Sequence, residues 1–491
     1  MPAARPLRLV IPRYGEVRGV PARAMVFSNS ERMELGCDRR WFHRYAEHLR
    51  PEGEARALTY GTGWALVMED LHRWWMVNDS AYPLARVVGA GESDEAPIGS
   101  CPWCDGGESG PEQLTCDQCA GSGLSVVFRL RRDWFQGAAE GEQVDEVAAD
   151  VSTVFRALTG YCRTYGVNPS SDFRVVAVEH QVAAPVVNPA TGKPFRPRIP
   201  LVEDASGWRI AGPGEVPTTW ASWPWYQIGK LDVVLQHRRS GLLWIEDNKS
   251  SRDAQGYLKN VTIDPQTVGY AWMLGEQIRA GGFGADIEAE VVGMQFDITS
   301  SSLQQYPKRL VEKELAKKDE KRAQGFTHHP PQFSKATNAT TPSWLYAEAL
   351  RNAAPSPDGQ RPDPADYEDH LQWCREFVDP RLYVRECVVA SPQAITEYRW
   401  EMIGVARRLA RQIVAAVKVT SPESLAVAFP RTPLCRRPGG SCPFTSLCAG
   451  GDHADARAEF HTSAGLRWER SEPASQLFNQ PVAPPTTDLD F

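Results

Sequence analysis

Gly229-Lys230-Leu231-Asp232, followed beyond a turn at Arg238-Arg239-Ser240-Gly241 by Ile245-Glu246-Asp247-Asn248-Lys249-Ser250, is the stretch on which the reading of this chain turns. The runs Ile228 to Leu235 and Leu242 to Asp247 are apolar and β-branched enough to predict two strands joined as a hairpin. A hairpin brings Asp232 and Asp247 to one end of a sheet, and the two-residue alternation of strands puts Asp247 and Lys249 on the same face. Two carboxylates and a lysine placed so suit phosphodiester hydrolysis. Hard oxygens, with the backbone carbonyl of Asn248, hold Mg2+ or Mn2+, and Lys249 positions or helps polarise the attacking water. For the hairpin alone the competing reading is a solvated hairpin, because Asp and Lys are common at strand ends.

Outward from the hairpin, a helix from Pro265 to Ala280 carries Gln266 and Tyr270 four residues apart, so both lie on one face. A strand from Ile287 to Ile298 follows. Upstream, residues 142 to 165 read as a helix and Phe173 to Glu179 as a strand, while the Pro- and Gly-rich segment from Asn188 to Trp223 reads as a loop or hairpin. The order helix, strand, strand, strand, helix, strand is that of a mixed α/β core. Nearer the N-terminus, Ser28-Asn29-Ser30 offers N-cap chemistry for a helix carrying Met33 through Tyr45, and a second amphipathic helix runs from Ala57 to Trp75. Beyond the core lie a charged helix from Gln304 to Arg322, a polar linker from His329 to Pro364, a long helix from Ala394 to Val417 and, from Glu469, a Pro-, Thr- and Ser-rich tail.

Asp232, Asp247-Asn248-Lys249 and Gln266-x-x-x-Tyr270 together resemble the RecB-like branch of the PD-(D/E)XK nucleases, in particular phage-encoded exonucleases related to the CRISPR-associated adaptation nuclease. The resemblance runs from about Ser28 to Cys448 and includes Glu179 on the strand ahead of the hairpin. It implies a restriction-endonuclease-like core in which helices flank a mixed central sheet. Asp232 and Asp247 would bind the metal, Lys249 would assist the attacking water, and Gln266 and Tyr270 would orient substrate or support Lys249. It also implies a helix bearing Gly-Thr-x-x-His, whose histidine ligates the metal. Here the matching residues are Gly61-Thr62-Gly63-Trp64-Ala65, with Ala65 in the histidine's place. Glu69, one turn on, is the candidate replacement and His72 a weaker one; the competing reading of both is an exposed polar face. Ala65 also keeps open a nuclease fold that only binds DNA or serves as an adaptor, and the resemblance keeps open an adaptation nuclease.

Seven of the eleven cysteines fall into two spaced groups, which favours metal ligation over cross-linking. Cys435, Cys442 and Cys448 share one short segment containing Gly and Pro, where soft thiolates suit zinc or an iron-sulfur cluster. The resemblance adds Cys37 as fourth ligand and a 4Fe-4S cluster that staples the two ends of the nuclease domain. Cys101-Pro102-Trp103-Cys104 and Cys116-Asp117-Gln118-Cys119 have the pattern of a closed tetrahedral Zn2+ knuckle. Its use is protein docking, DNA contact through Trp103, or only holding the insert together. Residues Cys116 to Gly123 are similar to one unit of the DnaJ zinc domain, without further signs of that chaperone. Cys162, Cys374 and Cys387 are expected in the core.

The expected organisation is a helical N-terminal part (1–99), the knuckle (100–123), the nuclease core (124–300), a helical region with the C-terminal cluster cysteines (301–467) and a tail (468–491). A net charge of -7 argues against a surface that coats nucleic acid throughout and leaves room for a local basic channel. Lys308, Arg309, Lys313, Lys317, Lys318, Lys321 and Arg322 offer such a face, although a mixed-charge helix of this kind is more often solvated surface. With no bilayer-length apolar run and no signal peptide, the expected location is the cytoplasm, that of the host cell if the chain is phage-encoded. The closing residues Thr487-Asp488-Leu489-Asp490-Phe491 are similar to the tails by which single-strand-binding proteins recruit partners. The expectation is thus a DNA exonuclease acting at single-stranded or recessed ends in recombination, replication or DNA processing, alongside a single-strand-binding or recombination protein.

Overall fold

The computed structural model describes residues 24–47, 49–51, 56–78, 144–165, 172–204, 207–261, 264–281, 283, 289–300, 341–352, 363–430, 436–437, 440–442, 444–450 and 460–462. The N-terminal elements are β1 (Met25–Ser28), α1 (Asn29–Glu34), α2 (Asp38–Trp41), β2 (Leu49–Pro51) and α3 (Arg56–Asn78). The central part comprises α4 (Val144–Tyr165), β3 (Phe173–Pro185), β4 (Arg198–Asp204), β5 (Gly207–Ile210), β6 (Thr219–Ser222), β7 (Trp225–His237), β8 (Leu243–Ser251), α5 (Ala254–Val261), α6 (Pro265–Arg279) and β9 (Val291–Ser300). Then come α7 (Ser343–Arg351), α8 (Glu368–Phe377), β10 (Tyr383–Val389), α9 (Pro392–Val417), α10 (Pro422–Ala428), α11 (Thr445–Gly450) and, past two short strands, β11 (Phe460–Thr462).

The main sheet is six-stranded and mixed, ordered β1-β7-β8-β9-β10 with β3 also on β7. Long β7 organises it. β3 runs antiparallel along nearly its whole length, from Phe173 opposite His237 to Pro185 opposite Tyr226, and so occupies one side. The other side is shared: β1 pairs in parallel with residues 225–228, and β8 pairs antiparallel with residues 233–236. Among the described residues, Gly229 to Asp232 therefore have no ladder partner on that side, and the sheet opens there into a fork.

Helices cover both faces. Leu243, Ile245, Met294 and Phe296 pack in one core with Trp272, Met273 and Leu274 of α6 and Met402 and Ile403 of α9. On the opposite face Trp64, Met68 and Leu71 of α3 pack against Ala157, Leu158 and Tyr161 of α4. Asp264 caps α6 by accepting the N–H of Gln266 at 2.8 Å, and Ser391 caps α9 through the N–H of Ala394 at 3.1 Å; a proline follows each cap, where its missing N–H costs nothing. The buried Gln227 Nε2 donates to Tyr398 Oη at 2.8 Å, tying α9 to β7.

The two ends of the described chain meet. Phe429 stacks on Trp41 and Phe42, Phe444 on His43, and β11 pairs antiparallel with β2. Arg408 and Gln412 of α9 each donate to Asp38 Oδ1 at 2.6 Å.

Several expectations need correction. The helix foreseen through Tyr45 stops at Leu35, restarts after Gly36 and Cys37, and ends in a π-turn over Phe42–Ala46, a broken path that turns Trp41 and Phe42 into the core. The loop or hairpin read over residues 188–223 is the three-stranded antiparallel sheet β5-β4-β6, one strand more than a hairpin, and the linker read over 329–364 contains α7. Edge strand β10 was not foreseen at all. Cys162 and Cys374 are buried, but Cys387 stands exposed on edge strand β10, whose residues Arg385 to Cys387 are all exposed. The zinc-knuckle cysteines, the charged helix, Cys435 and the C-terminal tail lie outside the described residues.

Candidate active site

The fork in the sheet carries the site. The β7–β8 ladder ends at Val233 opposite Glu246, and two residues on along β8 the amide of Asn248 donates instead to the Asp232 carboxylate at 2.9 Å. Asp232 thus replaces a ladder carbonyl, satisfying a backbone donor that the parting strands would leave orphaned. Across the fork, Lys249 Nζ stands 2.9 Å from Asp247 Oδ1 and 2.7 Å from Oδ2, so one ammonium spans both carboxylate oxygens. Both side chains project from β8 toward the face covered by α6, as the alternation with buried Glu246 on the opposite face requires.

Burial and charge act together on the cluster. Burial first, then the charges of Asp232 and Asp264, push the Asp247 carboxyl up to about 6, while Lys249 pulls it down. Burial alone would lower Lys249, but Asp247 and Asp232 outweigh it and hold the ammonium above the ordinary lysine range. Tyr270 is buried, feels the charges of Asp247, Lys249 and Asp232, and is hydrogen-bonded to the Gln266 side chain. The Gln-x-x-x-Tyr face of α6 therefore points at the carboxylates. Tyr257 of α5 feels Lys249, Asp247 and Asp264.

Glu179 faces the same fork from β3. Its φ of 54° is the left-handed backbone that a side chain rarely adopts, and its carboxylate is ion-paired with Lys230. The twist has a visible result in β7 opposite. Leu231 and Val234, three residues apart, both enter the main core, so the two-residue alternation breaks at Asp232 and frees that carboxylate to reach across to β8.

Residues 34–449 match the PD-(D/E)XK nuclease superfamily. The chain belongs to this superfamily. The match is to the superfamily as a whole; no curated protein matches the chain. In this PD-(D/E)XK nuclease, Asp232, Asp247, Lys249, Gln266 and Tyr270 come together at one fork, with Glu179 beside them. The donor chemistry fits a hard divalent cation, the usual partner of this family: two carboxylates and the nearby Asn248 carbonyl would supply oxygens, and burial raises the Asp247 carboxyl, a desolvation that a bound cation would offset. Among the described residues no group of three or more His, Cys, Asp or Glu side chains is placed to hold an ion.

The α3 candidates go elsewhere. Glu69 accepts from Arg73 Nε at 2.9 Å on its own helix, and Ala65 is exposed. His72, fully buried, reaches Glu246 Oε1 at 2.8 Å on the face of β8 away from the fork. Of the cysteines assigned to a cluster, Cys37, Cys442 and Cys448 are buried, and Cys442 packs with Leu49, Phe444 and Leu447 where the chain ends meet. Sequence reasoning passed over Asp264, Tyr257 and Glu246. Asp264 was legible as a helix cap ahead of Pro265, but nothing local announced its charge at the site. No helix among the described residues is long and apolar enough to cross a membrane.

Proposed function

We propose that this nuclease hydrolyses phosphodiester bonds at DNA ends, single-stranded or recessed, as an exonuclease in recombination, replication or DNA processing. The observation that carries the reading is the Lys249 ammonium bridging both oxygens of Asp247 while Asp232 is pinned on the next amide of β8. Asp232, Asp247 and the Asn248 carbonyl would hold Mg2+ or Mn2+, which supplies charge neutralisation at the phosphate and activation of water. The Asp247 and Asp232 carboxylates favour the charged form of Lys249, which would orient water and steady the developing phosphate charge as a cation. Tyr270, steadied by Gln266, supports that ammonium or the scissile phosphate from α6. Mn2+-dependent digestion of end-labelled single-stranded DNA tests the reading. The parent should release nucleotides, and Asp247→Ala and Lys249→Ala should not; equal behaviour of all three defeats it.

A second reading is favoured by one observation: with Ala65 exposed and Glu69 on Arg73, no described α3 side chain takes the place of the family's metal-binding histidine. On that reading the fold binds DNA without turning it over, and the same assay separates the two.

For the cysteines we infer a 4Fe-4S cluster on Cys37, Cys435, Cys442 and Cys448 and a Zn2+ ion on Cys101, Cys104, Cys116 and Cys119. Support for the first is the packing of the Cys442 segment against the N-terminal segment that bears Cys37; support for the second is the spacing of the two Cys-x-x-Cys pairs alone. Iron, sulfide and zinc analysis of anaerobically purified protein tests both. The acidic ending Asp488-Leu489-Asp490-Phe491 is proposed to recruit a single-strand-binding or recombination partner, and undiminished pull-down after removal of the last five residues would reject that.

A further inference from the structure

Behind the catalytic strand, on the face turned away from the fork, lies a second polar cluster that the proposed reaction does not use. His72 Nδ1 donates to the Met68 carbonyl at 2.7 Å, and its Nε2 lies 2.8 Å from Glu246 Oε1. The other Glu246 oxygen accepts from Gln295 Nε2 at 2.7 Å. One step along the same face, Asp297 receives both Nε and Nη2 of Arg385 at 2.5 Å, together with the Tyr161 hydroxyl, and the guanidinium lies over the Tyr165 ring at 4.3 Å. Register explains the layout: Glu246 pairs with Gln295, and Asn248 with Asp297, which in turn faces Arg385 on β10.

His72, Glu246, Gln295 and Asp297 are all at least 96 % buried. Burying two carboxylates and their cations costs more than an apolar packing of equal volume, so such a cluster is weak support for stability and is better read as fixing one geometry. Its position says which geometry. Glu246 is the last residue of β8 with a ladder partner on β7, and from Asp247 onward, among the described residues, that side of the strand is met by the Asp232 carboxylate on the Asn248 amide. In a strand, anchoring one side chain on one face fixes the direction of the next on the other.

We propose that Glu246, clamped by His72 and Gln295 at the vertex of the fork, is a positioning residue that sets the pitch of β8 and so aims Asp247 and Lys249 into the site. The proposal rests on the nuclease reading for its kinetic consequence but not for its structural one. Glu246→Ala should lower kcat at least tenfold on end-labelled DNA with KM within about twofold, and should speed amide exchange of residues 247–251 at least tenfold while β9 and α3 keep parental protection. Glu246→Gln, which keeps the shape and can bond both His72 and Gln295, should recover parental values in both measurements. If Glu246→Ala does not fold, His72→Asn, which keeps Glu246 on Gln295 and loses only the α3 arm, should show the same two changes. Parental kcat and parental exchange in these variants overturn the proposal, and so does a loss of melting temperature with unchanged activity per folded molecule. Should the parent itself show no turnover, the nuclease reading fails, and exchange at 247–251 alone decides the clamp.

Discussion

Asp232 accepts the backbone N–H of Asn248 at 2.9 Å, so the carboxylate proposed to bind the cation is also a rung of the sheet. The two duties come apart by mutation. Asp232→Asn keeps an acceptor oxygen for the amide and loses the charge; its melting temperature should stay near that of the parent while turnover falls about 100-fold, because the anionic oxygen that would hold the cation is lost. Asp232→Ala should lose turnover and also loosen amide exchange at Asn248. Equal exchange in the two variants would show that the hydrogen bond does not hold the strand.

The raised Asp247 carboxyl predicts an acidic limb in the rate profile. Its proton binds as pH falls through about 6, and a neutral carboxyl neither binds a cation nor holds Lys249. Activity should therefore be full above that pH and decline below it with first-order dependence on protons. Because cation and proton compete for one group, raising Mn2+ should move the limb to lower pH. A limb that does not respond to Mn2+ would assign the titration to another residue.

Gly229 faces α6 so closely that a Cβ there would stand 2.8 Å from Tyr270 Cε1 and from Met273 Cε. Gly229→Ala should thus push Tyr270 off the site, destabilising the protein by about 1–3 kcal/mol and lowering kcat. Thermal melting and turnover measured on one preparation check both effects.

Tyr270→Phe removes the hydroxyl that Gln266 holds and leaves the ring buried in the main core. Turnover should fall about tenfold, a loss on the order of 1.4 kcal/mol, with little change in melting. Gln266→Ala should give a smaller loss in the same direction, and the double variant should match Tyr270→Phe, since the two act as one unit.

If a cluster joins the chain ends, removing it should loosen contacts near it first. Chelation of iron, or Cys448→Ala, should raise exchange in residues 37–51 and 442–450 before the β7–β8 hairpin is affected, and should abolish bound sulfide. Unchanged exchange after full loss of iron would deny the staple.

Local chemistry made much of the site legible. The apolar runs around Asp232 and Asp247, the turn before Gly241 and the four-residue spacing of Gln266 and Tyr270 are short-range signals, and each lies where its spacing predicted. What escaped notice was set by partners far away in the chain. The gap in the β7 ladder exists only because β1 pairs with residues 225–228, and the role of His72 depends on Glu246 coming to lie beneath α3. Glu179 gave no sign of its left-handed backbone, because glutamate in an apolar run reads as ordinary strand. β10 mixes charge with valine, as edge strands do, and so carried no clean alternation to read.

Both banks of the fork are registered on the same strand, so the distance between them is counted in residues of β7. One residue inserted between Ile228 and Asp232 would leave β1 and β8 paired with β7 as before, yet throw part of β7 out of register with β3 and turn the Asp232 carboxylate to the wrong side. The same insertion at the Arg238–Gly241 turn would lengthen a loop and nothing more. The Gly-Lys-Leu-Asp run is then a spacer of fixed length as well as a carrier of functional groups, and its tolerance to length change should be far lower than its tolerance to substitution at the exposed Lys230.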